Sequence, residues 1–126
     1  MSVSASKAAR SFVILVVEDE FFLRYDIAAT LRDAGYEVVE AHSGEAAIAL
    51  RNCGVAIDAV LTDINLTGPT TGWDVADCYR KDRPDIPVLY TSGRTADTTR
   101  CVRDSVFMAK PYALKEVLGV VSALVR

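Results

Sequence analysis

Two patterns alternate along this chain. Short, nearly unbroken apolar runs give way to longer stretches in which apolar residues recur every three or four positions. The runs read as strands buried on both faces, the longer stretches as helices that present one stripe to a sheet. Residues 12–17 form the first run, which ends in Glu18-Asp19-Glu20. A helix is expected over about 21–34, with Leu23, Ile27 and Leu31 facing the sheet and Gly35 as its stop. Residues 36–41 alternate enough for a second, more exposed strand. Ser43 is placed to cap the next helix, which packs through Ala46, Ala47, Ile48 and Leu50 and ends at Asn52-Cys53-Gly54. The third strand closes on Asp63, and the loop 66–71 holds Gly68 and Pro69, which exclude regular structure. Gly72–Asp82 is a third helix with Val75, Ala76 and Tyr79 inward, broken at Arg83-Pro84-Asp85. Residues 86–91 form the fourth strand, with Pro87 near its beginning, and lead into Ser92-Gly93. The polar stretch 94–104 is expected to be a short, weakly packed helix or a mobile loop. Val106–Ala109 is a fifth strand ending in Lys110-Pro111, and a last helix runs over about 113–125.

Strands alternating with helices imply βαβ units, hence a parallel sheet with helices on both faces. All C-terminal strand ends then share one edge, where open α/β sheets hold their ligands. Glu18, Asp19, Asp63, Ser92 and Lys110 each follow a strand and should gather there. A length of 126 residues suits one domain. It is read as residues 12–126 preceded by a flexible tail, 1–11, which lacks the apolar core of a secretory signal. The net charge of −3 gives no broad basic surface, so nucleic acid is not an expected partner. No apolar run approaches the roughly 20 residues of a membrane span. Three widely spaced cysteines, none in a CxxC pair, argue against disulfides and zinc and for a reducing cytoplasm. His42, the single histidine, lies in a Ser/Gly turn, reads as a solvated loop residue and argues against a histidine metal cluster.

Three carboxylates at one edge repel one another unless a cation joins them. Mg2+ suits such a set, since it takes oxygen ligands and keeps waters that a phosphate can replace, with Mn2+ as the other candidate. Asp19 and Asp63 are the expected direct ligands, and Glu18 acts directly or through water. A carboxylate beside such a cation can attack a phosphoryl group and form an acyl phosphate. Lys110 can pair with one phosphoryl oxygen and Ser92 can donate to another, while Gly93 leaves room for the backbone. Phosphorylation adds roughly 1.5 to 2 negative charges, enough to draw Ser92 and its loop inward.

Four segments carry a resemblance: Val16-Val17-Glu18-Asp19-Glu20, Leu61-Thr62-Asp63-Ile64-Asn65-Leu66, Pro87-Val88-Leu89-Tyr90-Thr91-Ser92-Gly93 and Phe107-Met108-Ala109-Lys110-Pro111-Tyr112. In order, and each at an expected strand end, they make residues 12–125 resemble the receiver domain of two-component response regulators. The resemblance implies a flavodoxin-like, doubly wound five-stranded sheet of order 2-1-3-4-5. It implies phosphoryl acceptance at Asp63 from a sensor histidine kinase or a histidine phosphotransfer protein. Glu18 and Asp19 match the family's acidic pair, and the Asn65 backbone carbonyl matches its third protein ligand for Mg2+. Ser92 matches the switch hydroxyl, Lys110 the essential lysine, Lys110-Pro111 the cis peptide, and Phe107 the aromatic switch. Asn65 and Arg94 lie where the family tunes acyl-phosphate hydrolysis.

Departures from the pattern fall in three places. The family commonly has proline where this chain has Thr67, and the loop to Gly72 looks one residue longer. The span from Ser92 to Lys110 is about one helical turn shorter than usual, so the fourth helix is expected to be short, displaced or mobile and the usual output face remodelled. Residues 87–94 are similar to the Pro-Phe-x-Phe-Ala-Thr-Gly-Tyr pattern of an alphaproteobacterial receiver subgroup, often single-domain proteins paired with HWE-type histidine kinases, with Arg94 in place of the tyrosine.

The leading reading is a stand-alone cytoplasmic receiver, monomeric or weakly dimeric, that is a regulatory switch and not an enzyme. Its output is docking to another protein, which the sequence leaves unnamed. An interaction module that is never phosphorylated is one alternative, which the intact acidic pair, Asp63, Ser92 and Lys110 disfavour. A phosphatase or phosphotransferase of the haloacid-dehalogenase type is another, but it needs an acid where Asn65 stands. A flavodoxin is disfavoured because Glu18-Asp19-Glu20 would repel the cofactor's phosphate.

Overall fold

The computed structural model describes residues 12–93 and 98–125. Five strands, β1 (Val13–Val17), β2 (Glu37–Ala41), β3 (Ala59–Asp63), β4 (Val88–Ser92) and β5 (Val106–Ala109), form one sheet in the order β2-β1-β3-β4-β5. Every pairing is parallel, which gives the flavodoxin-like order the resemblance implied. Four helices complete it: α1 (Phe21–Asp33), α2 (Gly44–Asn52), α3 (Gly72–Asp82) and α4 (Leu114–Leu124).

Side chains alternate across the central strands and so feed two separate cores. Ile14, Val16, Leu61 and Leu89 pack with Ile27 and Leu31 of α1 and Val117 and Val121 of α4. Leu15, Val17, Val60, Val88 and Tyr90 pack on the opposite face with Ala47 of α2 and Val75, Ala76 and Tyr79 of α3. Burial on both faces explains why these strands read as unbroken apolar runs. Each fully buried leucine or isoleucine contributes about 2 kcal/mol, so the interior strands dominate stability. The edge strands β2 and β5 are only partly buried, in keeping with their mixed sequences.

Local signals set the boundaries. Ser43 Oγ accepts from the Ala46 N–H at 3.0 Å and starts α2. Gly35 takes φ +99° after α1, a conformation suited to glycine. At Gly72 a Cβ would overlap the Asp63 carbonyl oxygen, so glycine lets α3 begin directly against the end of β3. Thr71 and Asp74 cap that helix reciprocally through each other's backbone N–H.

The described part of the stretch expected to be weakly helical holds a single 3-10 turn, Thr98–Arg100. Residues 94–97, with Arg94, and the tail 1–11 lie outside the described residues. Among the described residues no helix is long and apolar enough to cross a membrane.

Candidate functional site

Strand register delivers the site. Val17 of β1 pairs with Thr62 of β3, so the next residues, Glu18 and Asp63, emerge side by side. Asp63 in turn pairs with Thr91 of β4, and Ser92 pairs with Ala109 of β5. Lys110 then continues β5, its N–H donating to the Ser92 carbonyl at 2.8 Å. Carboxylate oxygens of Glu18, Asp19 and Asp63 lie within 4.8 Å of one another. Glu18 is 1% exposed and Asp63 5%, so two of the three charges are nearly out of water.

Lys110 spans this group. Its Nζ is 3.1 Å from Glu18 Oε1 and 3.1 Å from Asp63 Oδ2, partners 92 and 47 positions away in the chain. Burial pushes the Glu18 carboxyl above its ordinary value; the Glu20 N–H, 3.0 Å from Oε2, works against this and nearby Asp63 adds to it. Burial also disfavours the Lys110 charge, but the Asp63 and Glu18 carboxylates outweigh it and hold the ammonium above its usual range. At Asp19 burial is likewise outweighed, here by Thr67, and the carboxyl sits below its ordinary value. Thr67 donates to the same oxygen, Asp19 Oδ2, from its N–H at 2.8 Å and its hydroxyl at 2.6 Å.

Ser92 is fully buried beside the cluster, and its Oγ accepts from Asn65 Nδ2 at 2.9 Å. The Asn65 N–H donates to Asp63 Oδ1 at 3.2 Å. Phe107 stands apart from the carboxylates: it is half-buried in β5, opposite Tyr90, and packs on the α2/α3 core. The Lys110–Pro111 peptide is cis.

Comparison with known proteins decides the family. The family model described as the response regulator receiver domain matches residues 14–121, most of the chain. The chain belongs to the response regulator receiver domain family. A receiver protein from Sinorhizobium medicae superposes with a TM-score of 0.88 at 37% identity, over 92% of this chain and 95% of that one. Response regulator TrrA of Thermotoga maritima, solved in complex with Mg2+ and BeF, gives 0.78 at 28% identity, over 90% and 98%. The sensor kinase CckA of Brucella abortus is 31% identical over 95% of this chain, which spans 13% of that kinase. A probable transcriptional regulatory protein of Picosynechococcus is 32% identical over 90% of this chain. The chain spans about half the length of that regulator (49%).

The residues of this receiver suit a hard dication. The three grouped ligand residues offer only carboxylate oxygen, and the one ammonium bridging Glu18 and Asp63 leaves the group net negative when all three are ionised. Glu18, Asp19 and Asp63 are the side chains that would hold it. Two supporting contacts were not foreseen from sequence. Arg24 Nη1 donates to the Glu18 carbonyl at 2.9 Å, fixing the turn after β1. Thr67 was visible only as a departure from a family proline, and a polar residue with an N–H at that position was the available signal. Sequence periodicity also left Phe21, Phe22 and Tyr25 without a role; they are 57%, 73% and 58% exposed, just after the acidic loop.

Proposed function

We propose that this receiver accepts a phosphoryl group on Asp63 from a histidine-phosphorylated kinase or phosphotransfer protein, and that the acyl phosphate changes which protein it binds. The side chains of Glu18, Asp19 and Asp63 and the backbone carbonyl of Asn65 would hold Mg2+, with Mn2+ as a substitute. Bound there, the cation would neutralise and align the transferring phosphoryl. An Asp63 carboxylate oxygen bonds to phosphorus as the P–N bond to the donor imidazole breaks, and the electron pair leaves with the imidazole. Lys110, already 3.1 Å from Asp63 Oδ2, pairs with a phosphoryl oxygen. Ser92 exchanges its Asn65 contact for another phosphoryl oxygen, and Phe107 follows on β5.

The observation that carries this reading is the Lys110 ammonium bridging the buried Glu18 and Asp63, with Asp19 beside them. A protein donor is supported by the exposed aromatic cluster Phe21, Phe22 and Tyr25 next to the acidic loop, since grouped exposed apolar side chains mark contact surfaces. The family is regulatory and not classically enzymatic, so the output is proposed to be docking to a downstream protein.

Acetyl phosphate with Mg2+ should add one phosphoryl group, read by intact mass, and Asp63→Asn should abolish the addition. Labelling that persists in Asp63→Asn would remove Asp63 as the acceptor.

A further inference from the structure

The loop between β3 and α3 is held at three points. Its ends are clamped by the Gly72 N–H donating to the Ile64 carbonyl at 3.0 Å. Its far side is tied to α2, where the Thr70 N–H donates to Glu45 Oε2 at 3.2 Å. Between them Gly68 turns the chain at φ +98°, and Thr67 reaches back across 48 positions to Asp19. Thr67 is exposed, so no core packing dictates its place. Its two donors converge on Oδ2 of Asp19, and neither bond reaches Oδ1.

We propose that Thr67 is a positioning residue that orients the Asp19 carboxylate for the divalent cation, a role that rests on the cation reading above. Two donors on one oxygen fix the rotation of the carboxylate and leave its other oxygen outside both bonds, open to a cation. Partners that orient a metal ligand are worth roughly 10- to 100-fold in metal affinity. Valine at this position keeps the shape and the N–H but loses the hydroxyl donor. Serine keeps both donors and loses only a methyl group.

The test is an amide NMR titration of the full chain with MgCl2, without any phosphoryl donor. Thr67→Val should weaken the apparent Mg2+ dissociation constant about tenfold, and Thr67→Ser should restore it to near the wild-type value. Unchanged amide positions for Val16 and Leu89 confirm that both variants keep the fold. Thr67→Val binding as tightly as wild type, or more tightly, overturns the proposal, and so does Thr67→Ser binding as weakly as Thr67→Val. Wild-type amides that show no saturable change with Mg2+ would instead overturn the cation reading itself.

Discussion

On the β1/β3 side of the site, the carboxylates leave strands almost wholly buried in the sheet centre, and Asp19 is held by a loop anchored at three points. On the β4/β5 side, Ser92 leaves an equally buried strand but Lys110 leaves a half-exposed edge strand. The connection between them holds one 3-10 turn among its described residues. Side-chain contacts tie that connection down: the Val102 N–H to the Tyr90 hydroxyl at 3.0 Å, and Arg100 over the Trp73 ring and beside Asp74. The carboxylate half is thus assembled in advance, whereas the described contacts of the other half run through the side chains of a short connection, the part a new charge can displace.

Lys110 joins the two halves, and its removal is expected to have the largest effect. Lys110→Ala leaves Glu18 and Asp63 buried without their ammonium. Breaking a fully buried pair costs roughly 3–5 kcal/mol. A quarter of the lysine side chain (25%) is exposed, so a loss of about 2 kcal/mol is expected in cation-free buffer at pH 7. Urea denaturation measures it, and the loss should shrink in acid as Glu18 takes up a proton. Equal stability of the variant and wild type at pH 7 would mean that the ammonium does not hold the halves together.

The acidic half should also reveal itself in the pH dependence of stability without any mutation. The Glu18 carboxyl sits above its ordinary value of 4.5, so the folded chain binds that proton more tightly than the unfolded chain. Its contribution therefore rises as pH falls from neutral through the folded pKa and levels off below 4.5. Asp19 sits below its ordinary value of 3.8, so its contribution is present above 3.8 and is lost as pH falls through the folded pKa. In cation-free buffer the site thus favours folding more at about pH 4.5 than at pH 7. Mg2+ at ten times its dissociation constant should add about 1.4 kcal/mol at pH 7 and flatten the rise. Urea midpoints across this range, with and without MgCl2, check both statements. A cation-free profile that falls steadily from pH 7 to 4.5 would contradict the upward, burial-driven shift assigned to the Glu18 carboxyl.

The difference between the halves also separates what was legible in the sequence from what was not. Strand ends were legible, because an apolar run that stops at Asp63 or Ser92 marks the sheet edge without further information. The helices were legible where a cap and a stripe agreed, as at Ser43 for α2 and at Val75, Ala76 and Tyr79 for α3. Parallel order then brought Glu18, Asp63, Ser92 and Lys110 to one edge. The partners each group chooses there were not legible. Lys110 bridging Glu18 and Asp63, Thr67 gripping Asp19 and Asn65 reaching Ser92 depend on loop path and rotamer, which local propensity does not encode. The described part of the polar stretch before β5 holds one 3-10 turn, which is too short to leave a periodic signal.

The smallest expected effect isolates the β4/β5 half. Tyr90 is fully buried on the α2/α3 face, two positions before Ser92, and burial pushes its hydroxyl up to about 12 while the Val102 bond works against the shift. Tyr90→Phe keeps the ring in its core and removes only the oxygen that accepts from the Val102 N–H. The cost should be about 1 kcal/mol, the ordinary worth of one such bond. Because the carboxylates, Thr67 and Lys110 make no contact through that oxygen in the described hydrogen bonds, Mg2+ affinity should stay within about twofold of wild type, far less than the change expected for a group that orients a metal ligand. Hydrogen exchange at Val102 should accelerate, while that at Val16 and Leu61 slows or quickens only with global stability. Exchange that accelerates equally at Val102 and Val16, or a Mg2+ affinity that drops along with it, would show that the two halves open as one unit.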